Sequence, residues 1–114
     1  MIKRIKPGKR LSHAVIHGNT VYLAGQVPDD PGKDVKSQTK QVLDKIDALL
    51  AEAGTHKGNI VSATIWLTNI ADKDELNTVW DAWIGEVGPA RACVQSALAS
   101  PDIKVEIAVI AATA

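Results

Sequence analysis

Apolar residues recur along this chain with two periods, and the switches between them mark out the elements. From Val35 the apolar positions are Val35, Val42, Leu43, Ile46, Leu49, Leu50 and Ala53, which are helical steps forming one stripe. Lys36, Gln38, Lys40, Lys45 and Glu52 fall mostly outside it. Asp34 is placed to cap the helix N-terminus and Gly54 to stop it. A second helix is predicted from Asp72 or Lys73 to Ile84, with Leu76, Val79, Trp80, Trp83 and Ile84 as its stripe. Gly85 and Gly88-Pro89 end it.

The remaining apolar runs read as strands. Ser12–His17 and Thr20–Val27 are predicted to form a hairpin about a Gly18-Asn19 tip, with Gly25 marking a bulge or a close backbone approach. Ile60–Leu67 is apolar enough to be a central strand, and Arg91–Leu98 and Ile103–Ala112 follow, separated by the break at Ser100-Pro101-Asp102. Residues 1–10 are basic and interrupted by Pro7 and Gly8, and no element is assigned to them. The expected order is ββαβαββ. Two helices can cover one face of such a sheet. Val105–Ala112 is almost continuously apolar, as if buried on both faces. A symmetric homo-oligomer is the economical cover for the second face.

Composition narrows the class. A chain of 114 residues is the size of one domain, so residues 1–114 are expected to form a single unit. With 46% apolar and 23% charged residues it has the balance of a globular domain rather than a disordered one. Thirteen basic and thirteen acidic side chains cancel, which argues against nucleic acid as an electrostatically driven partner. The single cysteine, Cys93, excludes an internal disulfide and a cysteine-rich metal site, and His13 and His17 have no third ligand. The N-terminus lacks an apolar signal core and no run is long enough for a membrane span, so a cytoplasmic setting is the default expectation.

Two residues break the strand pattern. Arg91 opens the fourth predicted strand and Glu106 interrupts the last. Charged groups in strands are costly to bury unless they are paired or used. A guanidinium can make two parallel hydrogen bonds to a carboxylate, and a carboxylate can hold and deprotonate water. Each could equally be half of a structural ion pair. Cys93 shares a strand face with Arg91. No histidine is patterned to activate its thiol, so a packing role is expected. Trp80 and Trp83 are spaced for one helical face and are expected in the core.

Gly18–Pro28, Gln38–Gly54, Ile60–Leu67, Asn77–Trp83, Pro89-Ala-Arg-Ala-Cys-Val94 and Lys104-Val-Glu-Ile107, taken in order, resemble the reactive-intermediate deaminase family (RidA/YjgF) from about Leu11 to Ala112. The resemblance implies an α+β, chorismate-mutase-like fold with a mixed sheet, two helices on one face and the last strand placed centrally. It implies a homotrimer with clefts between subunits. The implied activity is hydrolysis of 2-imino and 2-enamino acids to 2-oxo acids and ammonia, as in the 2-iminobutanoate/2-iminopropanoate deaminases, without cofactor or metal. Arg91 then matches the arginine that grips substrate carboxylate, Glu106 the glutamate that holds the water, and Gly25 the residue whose carbonyl shares that water. The backbone amide of Cys93 and the side chain of Asn77 match groups at the cleft. Two cleft positions depart from the pattern: Leu11 stands where many relatives carry tyrosine, and Ala24 where they carry serine. Those departures keep open a second expectation, a non-catalytic protein that binds small 2-oxo acids in the same cleft.

Overall fold

The computed structural model describes residues 1–114. Its strands are β1 (Ile2–Pro7), β2 (Ser12–His17), β3 (Thr20–Leu23), β4 (Ile60–Leu67), β5 (Ala90–Gln95) and β6 (Val105–Ala112). Its helices are α1 (Val35–Glu52) and α2 (Lys73–Ile84). All six strands join one sheet in the order β1-β2-β3-β6-β4-β5, with β4 and β5 parallel and every other neighbour pair antiparallel. The last strand therefore lies in the middle, between β3 and β4, rather than forming a local hairpin with β5.

The element order is βββαβαββ, one strand more than the sequence pattern indicates. Residues 2–7 pair with β2 as an edge strand, with only Ile5 buried. Lys3, Arg4 and Lys6 are exposed there, which is why no alternating apolar signal marks it. Lysines on a solvent edge also discourage further strand pairing. Lys6, at a φ of 49°, is left unpaired between Ile5 and Pro7, with the register unchanged across it.

Besides β5 beginning at Ala90 rather than Arg91, three strand ends differ from expectation. β3 stops at Leu23 rather than Val27, and the chain rejoins the sheet only at Gln26, which exchanges backbone hydrogen bonds of 2.8 and 3.1 Å with Ile107. β5 ends at Gln95, short of Leu98, because the Ser96–Lys104 segment must turn back toward β6. β6 starts at Val105 rather than Ile103. The hairpin turn is as predicted: His17 faces Thr20 and Gly18 takes a φ of 61°, a conformation glycine adopts freely.

Both helices cover one face. Asp34 caps α1 by accepting from the Ser37 amide at 2.9 Å, and Gly54, at a φ of 83°, lets the chain leave. The α1 stripe packs with Leu76 and Trp80 of α2 on Ala14, Val21, Ile65, Leu67, Val105, Ile107 and Val109 of the sheet. Gln38 does not lie outside this packing, as the stripe pattern indicates, but is wholly buried. Its amide nitrogen donates to the carbonyls of Pro31, Lys33 and Asp102 at 2.7 to 3.0 Å, and its oxygen accepts from the Lys104 amide at 2.8 Å. Those bonds satisfy loop backbone that no secondary structure reaches, which is what makes burial of this polar side chain tolerable.

Along β6, Val105, Ile107, Val109 and Ala111 are buried beneath the helices. Glu106, Ala108, Ile110 and Ala112 alternate onto the other face and are half-buried. That open face also carries Thr64, Trp66, Tyr22 and Val94 by register, with Tyr22 and Val94 exposed. It is apolar and has no cover within the chain.

Candidate functional site

Arg91 and Glu106 do not meet within one chain. In the parallel pair, Arg91 is level with Ala63 and Cys93 with Ile65, so both point to the helix-covered face. Glu106 is level with Trp66, on the open face. Val109 is the residue of β6 level with Ala63, which places Glu106 two strands and three residues from Arg91. Strand spacing and rise then separate their Cα atoms by roughly 14 Å.

On the edge strand, the Arg91 guanidinium carbon lies 5.2 Å from the Trp80 ring centroid. Arg91 is half-buried, yet it joins none of the chain's three salt bridges and none of its side-chain hydrogen bonds. A planar fork of five N–H donors is thus held by an aromatic face and left without an acceptor. Within the chain, Arg91 has no ion-pair partner. Cys93 packs its thiol against the core, as expected. Asn77, on α2 three residues before Trp80, has a buried side-chain oxygen with no hydrogen-bond partner, the one such atom in the molecule. A buried acceptor without a donor is rare in folded proteins.

A second group gathers around Glu106. Gly25 lies directly against the glutamate: a β-carbon placed on it would stand 2.9 Å from Glu106 Cδ and nearer still to Oε2. The Gly25 position thus reflects a close approach, as its place in the strand pattern indicates, though the approach is by a side chain. The flanking residues fix this geometry. The Ala24 amide donates to the His13 carbonyl at 2.9 Å, and Gln26 is locked to Ile107. Leu11, in the turn between β1 and β2, is exposed despite being a large apolar residue. Glu106 makes no salt bridge or side-chain hydrogen bond. Its cross-strand partner is Trp66, which the sequence pattern does not single out because the β4–β6 pairing is not local.

The tryptophans divide between roles. Trp80 is buried in the core as expected, but its ring also supports Arg91, a role that spacing along α2 does not reveal. No cluster of three or more histidine, cysteine or acidic side chains is arranged for a metal ion. No helix is long and apolar enough to cross a membrane.

A mixed six-stranded sheet with the last strand inserted centrally and two helices on one face is the YjgF fold. The solved structure of an uncharacterized protein from Pseudomonas aeruginosa matches it at a TM-score of 0.96 with 43% identity, covering 100% of both chains. NMB1025, a YjgF protein family member from Neisseria meningitidis, matches at 0.97 with 39% identity, covering 100% of this chain and 96% of its own. A RutC family protein of Haemophilus influenzae is 47% identical over 112 residues, covering 96% of this chain and 97% of its own. The family model described as Endoribonuclease L-PSP matches residues 1–113, and the chain belongs to this RutC/YjgF family.

Proposed function

We propose that this protein hydrolyses reactive 2-imino and 2-enamino acids to 2-oxo acids and ammonia, in clefts between the subunits of a cytoplasmic homotrimer. The observation that carries the reading is Arg91: a guanidinium fixed at a sheet edge with no carboxylate of its own. Such a group is suited to a carboxylate ligand. The backbone amide of Cys93, two residues along the same strand, and the unpartnered oxygen of Asn77 are further polar groups for the same cleft.

Glu106 and the Gly25 carbonyl would hold the water. Glu106 takes a proton as the water oxygen adds to C2 and the C2=N π bond opens, and passes it to the nitrogen to give a carbinolamine. It then relays the remaining hydroxyl proton to the nitrogen as the C2–N bond breaks and the C2=O bond forms, so both water protons leave on ammonia. The products are a 2-oxo acid and ammonia, so the step balances with water alone and uses no cofactor. Because Arg91 and Glu106 project from opposite faces about 14 Å apart, the reading requires the arginine of one copy beside the glutamate of another. An apolar open face, with Tyr22 and Val94 exposed, is a surface on which copies would associate.

The test is ammonia release from imines generated in place by an amino-acid oxidase, wild type beside Arg91→Ala. Turnover lost in the variant, with the assembly intact, supports the mechanism; unchanged turnover overturns it. Leu11 and Ala24 favour a second reading, since neither supplies a hydroxyl to position substrate or water. In that case the cleft binds 2-oxo acids without hydrolysis, and calorimetry with 2-oxobutyrate would register binding while no ammonia is released.

A further inference from the structure

The two tryptophans of α2 and the two cations beside them form a ladder. Lys57 Nζ sits 5.3 Å from the Trp83 ring centroid, Trp83 lies 5.5 Å from Trp80 at a tilt of 56°, and Arg91 Cζ sits 5.2 Å from Trp80. Each ring carries one cation. The Trp83 indole N–H donates to Asp47 Oδ2 of α1 at 2.9 Å, which pins the outer ring to the neighbouring helix. The ladder therefore ties α1, the turn at Lys57, α2 and the edge strand β5 together.

We infer that this ladder is what positions the Arg91 guanidinium, with Trp80 as the positioning residue and Asp47 and Trp83 setting the Trp80 ring. No polar contact within the chain orients that side chain: it has no carboxylate partner and no side-chain hydrogen bond. An edge strand leaves an arginine free to sweep through solvent, and a long unpaired side chain carries much rotamer freedom to lose on binding. A face-on aromatic contact removes part of that freedom beforehand while leaving the N–H edge of the fork open. Trp80 is suited to the task because it is itself immobile, being 4% exposed and packed in the core. An indole also offers the strongest cation–π face among the aromatic side chains. The consequence for a carboxylate ligand rests on the reading of Arg91 given above; the positioning itself does not.

Two measurements separate these claims. The first is the Nε–Hε resonance of Arg91 in ¹H–¹⁵N spectra. In the wild type it is expected to be sharp and displaced by the Trp80 ring current. In Trp80→Leu it should lose that displacement and average, and in Trp80→Phe it should be intermediate. Phenylalanine keeps an aromatic face and guards against a leucine variant that fails to fold. Leu76→Val, a buried change on the same helix, controls for general loosening and should leave the resonance in place. An Arg91 resonance unchanged in Trp80→Phe, or moved equally by Leu76→Val, overturns the inference.

The second measurement is calorimetric binding of 2-oxobutyrate. Trp80→Phe should weaken it by about two- to five-fold and Trp80→Leu by about five- to thirty-fold. In an Arg91→Ala background, neither should have any further effect. Additive losses would mean that Trp80 acts elsewhere and would overturn the role of the ladder in binding. Absence of binding by the wild type would overturn the carboxylate reading, while the resonance would still decide the ladder.

Discussion

Gly25 lies against the carboxylate end of Glu106 with no room for a β-carbon between them. The clash an alanine would meet is with the far end of a flexible side chain rather than with backbone, so the glutamate can move aside at little cost. Gly25→Ala is therefore expected to fold with a Tm within a few degrees of wild type, about 1 kcal/mol or less. Under the proposed mechanism its imine hydrolysis should fall by ten-fold or more, with KM little changed, because there the displaced group holds the water and not the carboxylate. Equal losses of stability and rate would show that Gly25 serves the fold instead.

Arg91 and Glu106 on opposite faces give a test that needs no structure. Arg91→Ala and Glu106→Gln homo-oligomers should each be inactive. Mixed and reassembled at equal amounts, they should regain activity, because a site taking arginine from one copy and glutamate from another is intact in about a quarter of random pairings. Ammonia release before and after mixing measures this. No recovery, after mass spectrometry has verified subunit exchange, would place both residues in one copy's site and contradict the register.

Loss of Arg91 and loss of Gln38 should affect stability very differently. Arg91 has no partner to orphan, so Arg91→Ala is expected to cost about 1 kcal/mol or less. Gln38→Ala removes four hydrogen bonds from a wholly buried amide and strands the Lys104 N–H and three carbonyls. It is expected to cost about 2–4 kcal/mol, lowering Tm by roughly 10 °C or more. Paired thermal scans of the two variants make the comparison.

The open face offers a further prediction. Ala108 sits level with Thr64 near its middle. Ala108→Arg places a charge where the proposed subunits meet, and should convert the assembly to monomers by sedimentation while far-UV dichroism stays unchanged. Imine hydrolysis should vanish with assembly. An unaltered sedimentation coefficient would remove this face from the interface.

The helices are the part of the fold most legible in the chain. The α1 and α2 stripes repeat at helical spacing, and Asp34 and Gly54 mark the α1 ends through local hydrogen bonding alone. What stays hidden depends on residues far apart in sequence. β1 escapes notice because an edge strand of exposed cations has no apolar alternation, and Gln38 because its partner Lys104 lies 66 residues away. The site follows the same division. Residue types mark Arg91 and Glu106 as unusual in their strands, and the family resemblance suggests the roles proposed for them. Their separation becomes visible only once β4 lies between β5 and β6. The support of Arg91 by Trp80 likewise needs helix and strand in contact.

The central position of β6 has a consequence for how the molecule comes into being. Until Val105–Ala112 has been synthesised, β1-β2-β3 and β4-β5 are two separate patches, each with a raw edge where the sheet's middle belongs. The β1-β2-β3 meander can form early, but joining it to the parallel β4-β5 pair requires a segment made about eighty residues after β3. The nascent chain therefore carries the β1-β2-β3 half with an open edge through most of its synthesis, completes the β4-β5 half only at Gln95, and closes the two in a single late event. A substitution that weakens β6 would be felt first as aggregation of newly made chains, before any loss of stability in those that had already closed.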